Sequence, residues 1–353
     1  MIDPAHTPQH LPPRLILAPM EGVVDAVMRE QLSAIGGYER CVTEFVRVSQ
    51  TVLPKRVFFR YAPELRQGGL TPSGTPVYLQ LLGSNPELMA ANAARAASLG
   101  APGIDLNFGC PAKTVNRSQG GAILLRSPKL IRSICEQVRD SVPERTPVTA
   151  KIRLGYDSDE QFEEILDALS GVALSEITIH ARTKRQGYRP PAHWHQLRQA
   201  RLMLPYPVIA NGELWTPADV ARCAEISGCN AFMLARGALC RPDLGAAIVA
   251  AHRGEVGPTF SWPEAQQLLV TFLARNRALY DPRYAVNPVK QWLVYLKVYY
   301  PQAAALFSEV KRITDPDDMA LALQGRSALA RASCWMSIKK RHEDTLPRYK
   351  NTR

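Results

Sequence analysis

Short apolar runs rich in Val, Ile and Leu recur at near-regular intervals along the first two thirds of the chain. They are residues 14–19 (RLILAP), 41–45 (CVTEF), 77–82 (VYLQLL), 103–108 (GIDLNF), 148–153 (VTAKIR), 176–180 (EITIH), 207–210 (PVIA) and 231–235 (AFMLA). Runs this short, bounded by polar and glycine-bearing stretches, predict buried strands. Between most of them the pattern shifts to a helical period. Helices are predicted at 86–99, where Pro86 opens and Gly100 follows, and at 127–142, which begins Ser-Pro. Others are predicted at 159–169, at 216–226 (again cap then Pro) and at 241–251. Residues 46–76 form a long connection containing PSGTP, which predicts an inserted loop or small hairpin. Beyond residue 255 the strand signals stop. Residues 262–280, 286–300, 301–313 and a stretch near 315–337 read as helices.

Alternating strand and helix implies an α/β fold with a parallel sheet. Eight such units over about 235 residues imply a closed (β/α)8 TIM barrel, near the usual ~250-residue size. An open doubly wound sheet is the competing arrangement. It normally carries a GxGxxG loop after its first strand, whereas this chain has LAPMEGV. The expected domains are a flexible N-terminus (1–13), the barrel (14–254), a small all-helical domain (255–338) and a basic tail (339–353).

Composition adds a partner. The chain has 353 residues, 46% hydrophobic and 21% charged, which excludes global disorder. Its net charge is +11. Residues 251–353 hold 16 Lys/Arg against 9 Asp/Glu, net +7, and residues 1–250 hold 27 against 23, net +4. A surplus of this kind suits a polyanion, nucleic acid being the usual one, though a merely basic soluble protein would share it. Seven cysteines without a CxxC argue against a disulfide framework or a zinc site. The polar, Pro-rich start has no signal-peptide core, and no apolar run is long enough to span a membrane. The expectation is a cytoplasmic, metal-free protein acting as a monomer away from membranes.

In a barrel, functional groups lie at the C-terminal strand ends. Those ends carry Pro19-Met20-Glu21, Glu44, Gln80, Asn107 then Cys110, Lys151 and Arg153, His180 and Arg182, Asn211-Gly212-Glu213, and Arg236-Gly237. Lys151 and Gln80 sit inside apolar runs. A lone ammonium there is costly, so Lys151 should meet an anionic or carbonyl-rich ligand, or else a core ion pair. The Gln80 amide can read a ligand edge by donor plus acceptor, or bond neighbouring backbone. His180 ends a strand, with Arg182 just beyond. The turns after the last two predicted strands, ANGEL and ARGAL, are of the kind whose backbone N–H groups bind phosphate, with Arg236 to neutralise it. Pro111 stiffens a loop presenting Cys110, as a nucleophile or proton donor, or as an inert thiol.

These blocks together resemble the tRNA-dihydrouridine synthases. The matching stretches are LAPMEGV, TEF, QLLG, DLNFGCPAKTV, GGAILL, AKIRLG, IHARTKRQGY, VIANGEL and MLARGAL, and the resemblance covers about residues 14–340. LAPMEGVVD, CVTEFVRV and KQWLVYL resemble the bacterial C-type, which acts on uridine 16 of the D-loop. The resemblance implies an FMN enzyme that uses NADPH (or NADH) to reduce a uracil 5,6 double bond in tRNA. Its fold would be a flavin barrel followed by a helical tRNA-recognition domain. It would place Pro19, Met20 and Glu21 along the flavin ring, with Gln80 and Lys151 on its polar edge and His180 close by. Asn211, Gly212, Glu213, Ala235 and Arg236 would hold the phosphate end. Cys110 would donate the proton, Asn107 and Tyr188 would touch the target nucleotide, and Arg47, Lys290 and Lys311 would contact tRNA. Two positions depart from the family. Ala235 replaces a glycine, and Pro288 stands where C-type enzymes carry a further base. The same reaction at another uridine, a small-molecule FMN reductase and a non-catalytic tRNA-binding protein are the competing functions.

Overall fold

The computed structural model describes residues 12–325. Most of the expected N-terminal segment, the end of the helical domain and the basic tail lie outside the described residues. Two compact units form, one ending at Phe260 and the next beginning at Ser261.

The first unit contains the strands β1 (Arg14–Leu17), β2 (Arg40–Val42), β3 (Val46–Arg47), β4 (Val77–Leu82) and β5 (Ile104–Asn107). It continues with β6 (Val148–Arg153), β7 (Glu176–His180), β8 (Val208–Asn211) and β9 (Ala231–Leu234). All pair in parallel in the order β2-β1-β9-β8-β7-β6-β5-β4-β3, and a β2–β4 pairing closes the sheet into a barrel. Ile16, Val42, Ile209, Ala231 and Met233 form a buried cluster within the first unit.

β2 and β3 are two parts of one barrel strand. β2 pairs Cys41 with Val77 and Val42 with Tyr78, while β3 pairs Val46 with Leu81 and Arg47 with Leu82. Thr43-Glu44-Phe45 therefore oppose only Leu79-Gln80, which makes a bulge. Thr43 repairs the ladder across it. Its N–H donates to the Tyr78 carbonyl, and its Oγ1 accepts the Gln80 N–H, both at 3.0 Å. The eight expected barrel strands are all present, the second being split by this bulge.

The helices predicted at 86–99, 127–142, 159–169 and 216–226 form as Pro86–Ser98, Pro128–Ser141, Phe162–Ser170 and Pro217–Ser227. Asn85 caps the first by accepting the Leu88 N–H at 2.7 Å, and Thr216 and Asp219 make a capping box on the last. Ser127 stands at the N-cap position, but its hydroxyl makes no capping bond. The helix predicted at 241–251 forms as Leu244–His252, after a short helical turn at Arg236–Cys240. Two helices, Ala26–Ile35 and His195–Met203, carry patterns too mixed to read. In the first, fully buried Arg29 breaks the apolar stripe, because Glu64 takes its guanidinium at 2.8 Å. The long second connection does contain a small hairpin, closed by a Leu70–Pro76 bridge.

Among its described residues the second unit has helices and no strand, with Trp262–Leu279, Val286–Leu296, Pro301–Val310 and Pro316–Leu323. Glu264 closes the start of its first helix by accepting the Ser261 N–H at 2.7 Å and the Ser261 hydroxyl at 2.6 Å. Trp292 is fully buried and meets Phe272 edge-on, ring centroids 4.9 Å apart.

Candidate active site

The strand ends of the first unit bring polar side chains together at one mouth. Gln80, Asp105 and Thr149 are cross-strand neighbours on β4, β5 and β6, and all three are buried. Thr149 Oγ1 and Gln80 Nε2 donate to the two Asp105 oxygens, each at 2.6 Å. Asn107 Nδ2 donates to Gln80 Oε1 at 2.8 Å. Asn107 Oδ1 accepts the backbone N–H groups of Gly109 at 3.1 Å and Cys110 at 2.9 Å. Of the Gln80 amide hydrogens one goes to Asp105, while Asn107 has both ends bonded within the protein and shapes the Cys110 loop. Burial pushes the Asp105 carboxyl up, against the pull of its hydrogen bonds to Gln80 and Thr149.

Four cations crowd the next layer. Lys151 Nζ donates to Asn211 Oδ1 at 2.9 Å, and Asn211 Nδ2 donates to the Met233 carbonyl at 2.8 Å. Burial, and then the charge of Arg153, push the Lys151 ammonium down to about 7. His180 is held well below the ordinary histidine value by burial and then by Arg153, Lys151, Arg182 and Arg236. It is therefore neutral. Its Nε2 lies 3.3 Å from Arg182 Nη1, which can only donate, so Nε2 accepts and the proton sits on Nδ1. The carboxylate of Glu213 takes Arg182, and it also accepts the Ala192 N–H at 2.7 Å. Glu213 is accordingly spent on the scaffold, and its backbone carries the unusual φ of +62°.

Small residues open space beside these charges. Gly212 has φ +116°, and a Cβ there would lie 3.1 Å from His180 Cδ2. A Cβ on Gly237 would stand 2.3 Å from the Leu214 carbonyl oxygen, so β8 and β9 turn tightly together. Cations that strain against one another beside glycine turns suit an anionic, phosphate-bearing ligand. Among the described residues no group of His, Cys, Asp and Glu is arranged to hold a metal ion.

The rim is aromatic and basic. Tyr188 is 51% exposed, with Arg236 4.6 Å from its ring centroid, Arg153 at 5.5 Å and the His180 ring at 5.8 Å. Trp215 covers Arg236 from 5.0 Å. Cys110 is half-buried against Phe45, Leu82 and Val115. Burial pushes its thiol up, and Glu21 adds to this while Arg153 and Arg47 oppose, so it keeps its proton at neutral pH. Arg47 donates to Ser118 Oγ at 3.0 Å. The turn Pro19-Met20-Glu21 follows β1, where the Met20 carbonyl accepts the N–H groups of Val23 and Val24. Lys290 and Lys311 belong to the second unit, on and just after its second and third helices.

The sequence profile described as "Dihydrouridine synthase (Dus)" matches residues 16–332. The chain belongs to the dihydrouridine synthase family. It is 49% identical over 312 residues to a protein of Aquipseudomonas alcaligenes named tRNA-dihydrouridine(16) synthase, covering 88% of this chain and 99% of that protein. A protein of the same name from Shewanella oneidensis is 48% identical over 299 residues, covering 84% and 93%. Among solved structures, histamine dehydrogenase from Rhizobium overlays with a TM-score of 0.53 at 14% identity, across 73% of this chain and 48% of that one. That likeness concerns the barrel fold alone.

Seen as a dihydrouridine synthase, the chain departs from its family at two placed positions. Ala235 has φ −123°, outside the left-handed region that favours glycine. Pro288 sits in the first turn of the helix Val286–Leu296, where a missing N–H costs little.

Strand-end reasoning named Glu44 without giving it a role. The β2–β3 bulge sets it behind the Met20–Gly22 turn, where its Oε1 accepts the Gly22 N–H. Burial raises its carboxyl to about 7, with Asp25 and Glu21 adding repulsion. Its proton is held more tightly in the folded chain than in the unfolded one. The stabilisation is complete below pH 4.5 and is lost as the pH rises towards about 7. Glu44→Gln keeps the acceptor without the charge. Its stability relative to wild type should climb across that window by roughly 2 kcal/mol, discounted for partial exposure, in urea unfolding of apoprotein. A difference that stays constant with pH would show that Glu44 titrates normally.

Proposed function

We propose that the protein reduces uridine 16 in the D-loop of tRNA to 5,6-dihydrouridine, with FMN in the barrel mouth and NADPH as reductant. The carrying observation is a proton-bearing thiol, Cys110, at the rim of a cation-rich barrel mouth. High identity to proteins named tRNA-dihydrouridine(16) synthase supports tRNA and this nucleotide as the target. FMN bound there, once reduced by NADPH, would supply the hydride for uracil C6.

The chain's own residues do the rest. The backbone turns at Asn211-Gly212-Glu213 and Ala235-Arg236 hold the phosphate end, with Arg236 and Arg182 supplying charge. Lys151 meets the polar edge of the ring, Gln80 backs that edge from its buried place beside Asp105, and Pro19, Met20 and Glu21 line it. Neutral His180 donates from Nδ1. Hydride addition at C6 leaves negative charge towards C5 and O4, and the Cys110 thiol gives its proton to C5. Tyr188 offers a stacking face to the base, which must leave its stack in the folded tRNA to enter the mouth. Arg47 on the rim, with Lys290 and Lys311 in the helical unit, contacts the phosphate backbone. A tRNA substrate makes the cytoplasm the working compartment.

Dihydrouridine mapping across the tRNA of a deletion strain tests this. Position 16 should appear as unmodified uridine and return to dihydrouridine when the wild-type gene is restored. Retention of dihydrouridine at 16 with loss elsewhere would overturn the assignment of the nucleotide. No change anywhere would overturn the activity.

A further inference from the structure

We propose that Asp105 is a positioning residue for this reaction, acting through Gln80 and Asn107 on the loop that carries Cys110. The inference rests on the proposed role of Cys110 as proton donor.

The polarity of the buried chain is fixed from its upper end. Backbone N–H groups only donate, so the Asn107 atom that meets Gly109 and Cys110 is oxygen. The Asn107 amide nitrogen then donates to Gln80, which must present its oxygen, at 2.8 Å. That turns Gln80 Nε2 towards β5, where it meets Asp105 at 2.6 Å. The chain has a single direction, and it must end on a group that accepts. Asp105 is that group, and Thr149 fills its other oxygen by donation at 2.6 Å. Asp105 is 1% exposed and Gln80 0%, so solvent does not compete for these bonds.

A side chain at 105 that cannot accept would strand a buried N–H on Gln80, a penalty of about 1–3 kcal/mol. Flipping the Gln80 amide would relieve it only by setting two N–H₂ groups face to face, Gln80 against Asn107. The fault then reaches the two N–H groups that shape the Cys110 turn. Asp105 thereby sets where the thiol stands without touching the reacting atoms.

Two substitutions separate acceptance from charge. Asp105→Asn retains an oxygen for Gln80, and its amide can donate to the Thr149 hydroxyl, which turns to accept. Asp105→Leu has the same branched outline with more bulk and no acceptor. Among the described residues Cys110 is the one cysteine not buried, so alkylation by iodoacetamide, read at Cys110 by mass spectrometry, reports the loop without turnover. Asp105→Leu should change that alkylation rate at least about threefold and lower kcat on tRNA at least about tenfold, with KM for tRNA within about twofold. Asp105→Asn should stay within about threefold of wild type on both. Wild-type alkylation and kcat in Asp105→Leu, or equal damage in both variants, would overturn the proposal. If Asp105→Leu does not fold, Gln80→Met cuts the same chain one link nearer the loop. It must change alkylation in the same way, and an unchanged rate is equally fatal. A fully active Cys110→Ala would instead refute the donor role, while alkylation still reports the positioning.

Discussion

Cys110→Ala should purify as a yellow, flavin-bound protein, oxidise NADPH normally and form dihydrouridine at least about 100-fold more slowly, the usual size of a general-acid contribution. The expectation follows from the placement of the thiol. Cys110 packs on Phe45, Leu82 and Val115, so its loss removes little barrel structure. Burial holds the proton on sulfur, which suits a donor and would handicap a thiolate nucleophile. Cys110→Ser separates proton donation from shape, because a hydroxyl is a far weaker acid than a thiol. It should lie close to Cys110→Ala. Wild-type rates in Cys110→Ala would remove the residue from the reaction. A colourless variant that has lost NADPH oxidation as well would indicate damage to the barrel mouth instead.

The strands were legible because their apolar runs are short and evenly spaced, and a barrel buries its strands on both faces. The same runs flagged the site, since Lys151 and Gln80 interrupt them at a cost only partners repay. Arg153 and Asp105 interrupt those runs in the same way, and Arg29 interrupts a helical stripe. Their partners are backbone carbonyls, buried amides and a distant glutamate, none of which is visible in local sequence. The bulge at Thr43–Phe45 was hidden for a related reason. CVTEF reads as an unbroken strand, and only the pairing register reveals the extra residue that sets Glu44 beside the Met20–Gly22 turn. Asn107 shows the limit in the other direction. The family resemblance sets it against the nucleotide, and the structure adds that its side chain shapes the Cys110 loop. Residue type and position carried over, but the orientation of an amide is decided by neighbours on other strands.

Lys151→Met should lower dihydrouridine formation by about 100-fold, comparable to removing one preorganised donor. It should also abolish a pH dependence that wild type displays in FMN binding. The ammonium is pushed down to about 7 by burial and by Arg153, so the apoprotein releases this proton just above neutrality. An anionic ligand beside Nζ favours the charged form and draws the proton back. Binding above pH 7 is therefore coupled to proton uptake, and wild-type affinity must fall as the pH rises, by up to about tenfold per unit. Below pH 7 the lysine is already charged and this dependence vanishes. The flavin and its phosphate titrate on their own account, so the quantity to measure is the ratio of wild-type to Lys151→Met affinity, by fluorescence quenching from pH 6 to 9. That ratio should be flat below about 7 and fall above it. A ratio flat throughout would mean that Lys151 keeps its proton without the ligand. Its bond to Asn211 would then be enough to hold the charge, and the cation-rich mouth would carry no strain for the cofactor to relieve.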